Sequence, residues 1–160
     1  MVEKFIESFE APPTEIILDF DATDDEVHGN QENRHFHGYY GSYCFLPLHV
    51  FCGDQLLISY LRPSNIDGAK HAWAILSLLV KRIRRSWSDV KIIFRGDSGF
   101  CRDSMLRWCE RNQVIYIVGI AQNNRLNKFS EETQKLAEAE YNKTNEKQRL
   151  FIEFNYAAGS

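Results

Sequence analysis

A chain of 160 residues is close to the size of one domain, and 44% hydrophobic with 26% charged residues is ordinary for a protein that buries a core. No apolar run reaches the roughly 18 residues that span a bilayer, and the first residues lack the basic-then-apolar pattern of a secretion signal. A soluble cytoplasmic protein with no membrane partner is therefore expected. The net charge of −3 hides a segregation. Residues 1–32 hold ten acids against one base, 33–128 six against fourteen, and 129–160 six against four. A basic middle is compatible with phosphate contacts, although Lys81, Arg82, Arg84 and Arg85 taken alone read as a solvated helix face. Cys44, Cys52, Cys101 and Cys109 form no CxxC pair and read as reduced core thiols.

In chain order, residues 1–14 read as a lead-in closed by Pro12-Pro13. The run Glu15 to Asp21, rich in Ile, Leu and Phe, reads as the first strand. Residues 24–42 are polar and carry Gly29, Gly38 and Gly41, the composition of a long functional loop. Tyr43 to Cys52 and Gln55 to Leu61 read as two strands of a hairpin. Gly53-Asp54 between them suits a type II′ turn. Ala69, Ala72, Trp73, Leu76, Leu79, Val80 and Ile83 repeat at helical spacing from about residue 68 to 85, with Asn65 or Asp67 as the cap. Val90 to Arg95 predicts a fourth strand, Arg102 to Asn112 a short helix, and Val114 to Ala121 a fifth strand. Residues 130–147 predict a surface helix and Arg149 to Tyr156 a further strand. Trp73, Trp87 and Trp108 are expected in or beside the core. Three antiparallel strands followed by alternating helix and strand is the order of a ribonuclease-H-like fold, an α/β class with a mixed five-stranded sheet and flanking helices.

Asp21 and Asp97 stand at the carboxyl ends of two predicted strands, where ligand sites of open α/β sheets gather. Phosphodiester chemistry uses carboxylates because Mg2+ takes oxygen ligands and keeps several waters. Two such ions about 3.5–4 Å apart stabilise both the attacking and the leaving oxygen. Strand-end Asp residues also cap helices and form turns, and Asp19, Asp24 and Asp25 lie close by, so spacing alone does not choose among them. Gly96-Asp97-Ser98-Gly99 also imitates the nucleophile motif of chymotrypsin-like proteases, but Phe100 stands where those require another Gly. His28, His35, His37 and Cys44 fit no standard zinc spacing.

The stretch Leu18-Asp19-Phe20-Asp21-Ala22-Thr23 resembles the first-Asp motif of bacterial insertion-sequence transposases of the Asp-Asp-Glu class. His28-Gly29-Asn30-Gln31-Glu32, Phe36-His37-Gly38-Tyr39-Tyr40 and Leu61-Arg62-Pro63-Ser64-Asn65 resemble segments that follow it there. Arg95-Gly96-Asp97-Ser98-Gly99-Phe100 resembles the second-Asp motif. The resemblance runs over residues 15–126 in family order. It implies a retroviral-integrase-like catalytic core with Asp21 and Asp97 as the first two catalytic, metal-binding carboxylates. It implies two Mg2+ (or Mn2+) ions per complete site, and transposon ends and target DNA as partners. Water would attack at the element end, and the freed 3′-hydroxyl would then attack target DNA. A homodimer in the synaptic complex and association with the bacterial nucleoid are further expectations. Arg95, Arg102, Arg125 and Lys128 are candidate DNA contacts. The family's Tyr-x-x-Arg-x-x-x-Glu pattern is missing, although Glu138 could imitate its Glu. The third carboxylate is thus expected beyond Ser160. Residues 15–128 would then form an incomplete core and 129–160 the start of an insertion, in a fragment that does not cut by itself. The alternative is a non-cleaving DNA-binding or dimerisation module derived from a transposase.

Overall fold

Residues 1–157 are described by a computed structural model, and they fall into two units, residues 1–120 and 121–157. In the first unit, residues of the lead-in form helix α1 (Val2–Glu7). Its Phe5 is buried and meets Phe9 and Trp87 edge-on, with ring centroids 5.1 and 5.7 Å away. The Ile-Leu-Phe run forms β1 (Glu15–Ala22). The stretch expected as a loop contains β2 (Asp25–Glu26) and β3 (His35–His37). The single strand expected from Tyr43 to Cys52 is two, β4 (Ser42–Phe45) and β5 (Leu48–Cys52). Pro47 between them has no N–H to give a ladder, so the chain leaves one sheet there and enters another. β6 (Gln55–Tyr60) completes the hairpin across Gly53-Asp54. Gly53 has φ 57° while Asp54 is not left-handed, which agrees with the type II′ expectation.

Helix α2 (Ala72–Ser86) starts later than expected. Its cap position is His71 in the left-handed region, and Asp67 instead accepts the Ala69 N–H at 2.8 Å within the preceding loop. β7 (Lys91–Gly96), a short 3-10 turn (Ser98–Phe100), helix α3 (Asp103–Arg111) and β8 (Ile115–Val118) follow.

The main sheet runs β6-β5-β1-β7-β8, and β2-β4-β3 form a second, three-stranded sheet. β1 is antiparallel to β5 and parallel to β7, and β7 is parallel to β8, as the ribonuclease-H-like order requires. The even positions of β1, Ile16, Leu18 and Phe20, are buried with Leu48, Val50, Ile92 and Phe94 in one core. Leu76, Leu79, Val80 and Ile83 of α2 and Met105 and Cys109 of α3 share it. Each such side chain contributes about 1.5–3 kcal/mol by leaving water. Trp87 lies in this core and Trp108 packs against it, but Trp73 is 51% exposed because α2 turns that face outward.

In the second unit, helix α4 (Asn124–Thr144) begins six residues before the expected start. The Asn123 side chain accepts the N–H groups of Arg125 and Leu126 and so fixes the first turn. The strand expected at Arg149 to Tyr156 is not formed. The unit offers no strand among its described residues to pair with it, and Phe151 is 84% exposed. Phe154 stacks on Phe129 of α4 at 4.8 Å instead.

Candidate active site

The geometry of the site follows from the register of β1 and β7. Glu15 pairs with Lys91, Ile17 with Ile93 and Asp19 with Arg95, and the ladder closes at Phe20 opposite Gly96. Side chains alternate along each strand, so these odd positions share one face. Two ion pairs lie on it, Lys91–Glu15 at 3.1 Å and Arg95–Asp19 at 2.5 Å. Asp21 and Asp97 are the next step of the same row. Both are exposed, at the carboxyl ends of neighbouring parallel strands.

Asp97 leaves the strand in an extended conformation and caps the 3-10 turn, its Oδ1 accepting the Gly99 N–H at 2.8 Å. Two glycines fix this turn. A Cβ on Gly96 would come within 2.9 Å of the Phe100 ring, and a Cβ on Gly119 within 2.8 Å of the Ser98 nitrogen. The Gly119 N–H also donates to the Gly96 carbonyl at 3.1 Å. The β8 end is therefore pressed against the Asp97 turn with no room for a side chain.

Asp19 is held by Arg95, and the hydrogen bond that Arg95 donates to the Asp19 carboxylate raises the Arg95 pKa above its ordinary value. Neither residue is buried enough for that pair to be strong. Arg102 precedes α3 and pairs with Asp67 at 2.7 Å. Arg125 and Lys128 belong to α4 in the second unit. The Arg125 guanidinium donates to the Ala157 carbonyl at 3.0 Å and lies 5.6 Å from the Tyr156 ring centre, and Lys128 is exposed. Arg95 and Arg102 thus flank Asp97 in sequence, each in an ion pair with another acid, and Arg125 and Lys128 belong to a separate unit.

Three further side chains bear on the carboxylates; the sequence reading passed over His49 and quoted Tyr40 and His37 without a role at the site. His49 is the β5 partner of Asp21 in the antiparallel ladder, so their Cβ atoms stand about 4.5–5.5 Å apart on one face. Its Nδ1 is buried with no hydrogen-bond partner. Tyr40 donates to the Ala22 carbonyl at 3.5 Å. Burial first, then the charge of Asp24, Tyr39 and Asp21, pushes its hydroxyl above the ordinary range. His37 packs against Tyr40 at 4.9 Å between ring centres, and its Nδ1 is also buried without a partner. The signal for His49 was available, since counting back from Gly53-Asp54 sets its register, but only once β5 is known to pair with β1.

Arg62 shapes the loop beside this edge. It is 1% exposed, and its guanidinium donates to the carbonyls of Leu46 (2.8 Å), Gly68 (3.0 Å) and Lys70 (2.6 Å). Burial lowers its pKa. Ser64 donates to the His35 carbonyl at 2.9 Å, tying the same loop to β3.

Asp21 and Asp97 offer hard oxygen donors to a divalent ion. Among the described residues, no group of three or more His, Cys, Asp or Glu side chains converges. A family model described as transposase DDE domain group 1 matches residues 1–160. Comparison with curated proteins gives no match.

Proposed function

The chain belongs to that family of transposase DDE domains, and from this premise we propose that it is the catalytic domain of a cut-and-paste DNA transposase with Asp21 and Asp97 as metal-holding carboxylates. The observation that supports the proposal is the parallel β1–β7 pairing, which ends at Phe20 opposite Gly96, one residue before Asp21 and Asp97. Divalent ions held there would activate water and offset charge on the scissile phosphate. The protein's own part is positioning. Gly96 and Gly119 lock the Asp97 turn, while Arg95 holds Asp19 away from the ions. Arg95, Arg102, Arg125 and Lys128 contact DNA phosphates. In this reading a third carboxylate is supplied from outside residues 1–160, and the active assembly on DNA is a homodimer.

Mn2+-dependent nicking of plasmid DNA tests it. The 160-residue chain alone is expected not to nick, and a chain extended to include the third carboxylate is expected to nick and to lose activity in Asp21→Asn and Asp97→Asn. Nicking by the 160-residue chain that Asp97→Ala abolishes would place the third ligand inside it, with Glu138 the first suspect. Nicking by the extended chain that survives Asp97→Asn would overturn the reading.

A further inference from the structure

A phosphodiester brought to a metal-holding carboxylate also needs hydrogen-bond donors for its non-bridging oxygens. The cations that flank Asp97 in sequence are already engaged, Arg95 with Asp19 and Arg102 with Asp67. The Tyr40 hydroxyl is turned to the Ala22 carbonyl. His49 stands apart from these. It is the partner of Asp21 across the β1–β5 ladder, so its ring lies on the Asp21 face of the sheet. The Phe51 ring, two residues along the same strand, lies 6.2 Å from it between centres. The Nδ1 atom of His49 is buried without a partner. A proton on Nδ1 would be a buried donor with no acceptor, so the neutral ring carries its proton on Nε2.

We propose that His49 is a substrate contact of this site, its Nε2–H donating to a non-bridging oxygen of the DNA phosphate that a divalent ion holds at Asp21. The inference rests on the transposase reading and adds a residue to it. A side chain directly across an antiparallel ladder is within reach of whatever its partner holds through an ion, since each metal–oxygen step is only about 2.1 Å. The chemistry of the imidazole suits the place. A Lys or Arg opposite Asp21 would pair with it, as Arg95 pairs with Asp19, and would take the carboxylate from the ion. A neutral donor leaves the carboxylate its charge. The buried Nδ1 also separates donor from ligand. A histidine that binds metal through Nε2 carries its proton on Nδ1 and gives it to a carboxylate or carbonyl. The Nδ1 of His49 has no such acceptor.

The test is binding of a fluorescent DNA duplex to the 160-residue chain, read by anisotropy with millimolar Mn2+ and again without metal. His49→Ala and His49→Asn are expected to weaken binding about tenfold with Mn2+, the effect of one lost bond to a charged acceptor. Both are expected to leave metal-free binding unchanged, because only the ion draws a phosphate to a carboxylate. His49→Gln is expected to restore most of the loss, since its amide nitrogen stands where Nε2 does, whereas that of Asn stands where Nδ1 does. A thermal melt checks each fold, and if the Ala variant unfolds the contrast between Gln and Asn decides. Binding with Mn2+ that all three variants keep overturns the proposal and leaves the transposase reading standing. A loss equal with and without metal would make His49 a structural residue and also overturn it. So would rescue by Asn in place of Gln. Without DNA, His49→Ala is expected to keep the paramagnetic broadening that Mn2+ causes at residues 20–23; its loss there would make the imidazole a metal ligand and overturn the phosphate contact. Absence of any duplex binding by the wild-type chain counts against both readings.

Discussion

Asp19 and Asp21 stand two residues apart on one face of β1, and their neighbours separate them. Across β7, Asp19 meets Arg95, whereas Asp21 lies one residue past the end of that ladder and has His49 as its partner on β5. A carboxylate already paired with a guanidinium is a poor ligand for a second cation. In an active transposase carrying this domain, Asp19→Asn is expected to keep more cleavage than Asp21→Asn, in the same plasmid assay. The Asp19–Arg95 pair is exposed and contributes under about 1 kcal/mol, so the melting temperature should barely move. Equal and complete loss in both variants would remove the distinction. Spacing could not choose among Asp19, Asp21, Asp24 and Asp25, because alternation puts the first two on the same face and the others follow within four residues of Asp21. The family resemblance pointed to Asp21. The role of His49 was illegible because it depends on which strand lies beside β1, a long-range fact that no local pattern carries.

The Asp97 turn shows how one element sets another. Gly119, after β8, touches the backbone of residues 97 and 98. Gly119→Ala must shift that backbone, and overpacking of this kind costs about 1–3 kcal/mol. Its expected signature is reduced cleavage together with a lowered melting temperature, whereas Asp97→Asn should lower cleavage with the melt unchanged. The Arg62 loop is the second case. Arg62→Met keeps the bulk of the stem but leaves the Leu46, Gly68 and Lys70 carbonyls short of a donor. Chemical denaturation should show a loss of about 3 kcal/mol, since bonds to a charged donor are worth more than neutral ones. A change under about 0.5 kcal/mol would mean those carbonyls find water instead. At this scale the strands of the main sheet were legible, since each is a short apolar run between turn residues. Three features were not. β2 and β3 are two and three residues long, too short to show alternation, and the split at Pro47 looks like one continuous aromatic run. Arg149 to Tyr156 has a strand's composition but nothing in its unit to pair with, so composition misled there.

For the whole molecule, the basic span 33–128 carries the expectation of DNA affinity, against acidic residues 1–32. Phosphate contacts release counterions, so affinity for duplex DNA should fall steeply with salt. Lys128→Ala should flatten the slope of log affinity against log salt by about one if that residue meets a phosphate, and leave it unchanged if it does not. The order of the main sheet, β6-β5-β1-β7-β8, is what brings residues 76 positions apart in the chain, Asp21 and Asp97, to one edge. That adjacency is the central claim, and weak binding does not prevent its test. Mn2+ added to the isotopically labelled 160-residue chain broadens the amide resonances of nuclei near the ion, even at low affinity. The account predicts broadening at residues 20–23 and 96–99 together, lost at both places in Asp21→Asn and equally in Asp97→Asn, and kept in Asp19→Asn. Broadening centred on the Asp24-Asp25-Glu26 acids, or broadening at residues 20–23 that survives Asp97→Asn, would contradict it.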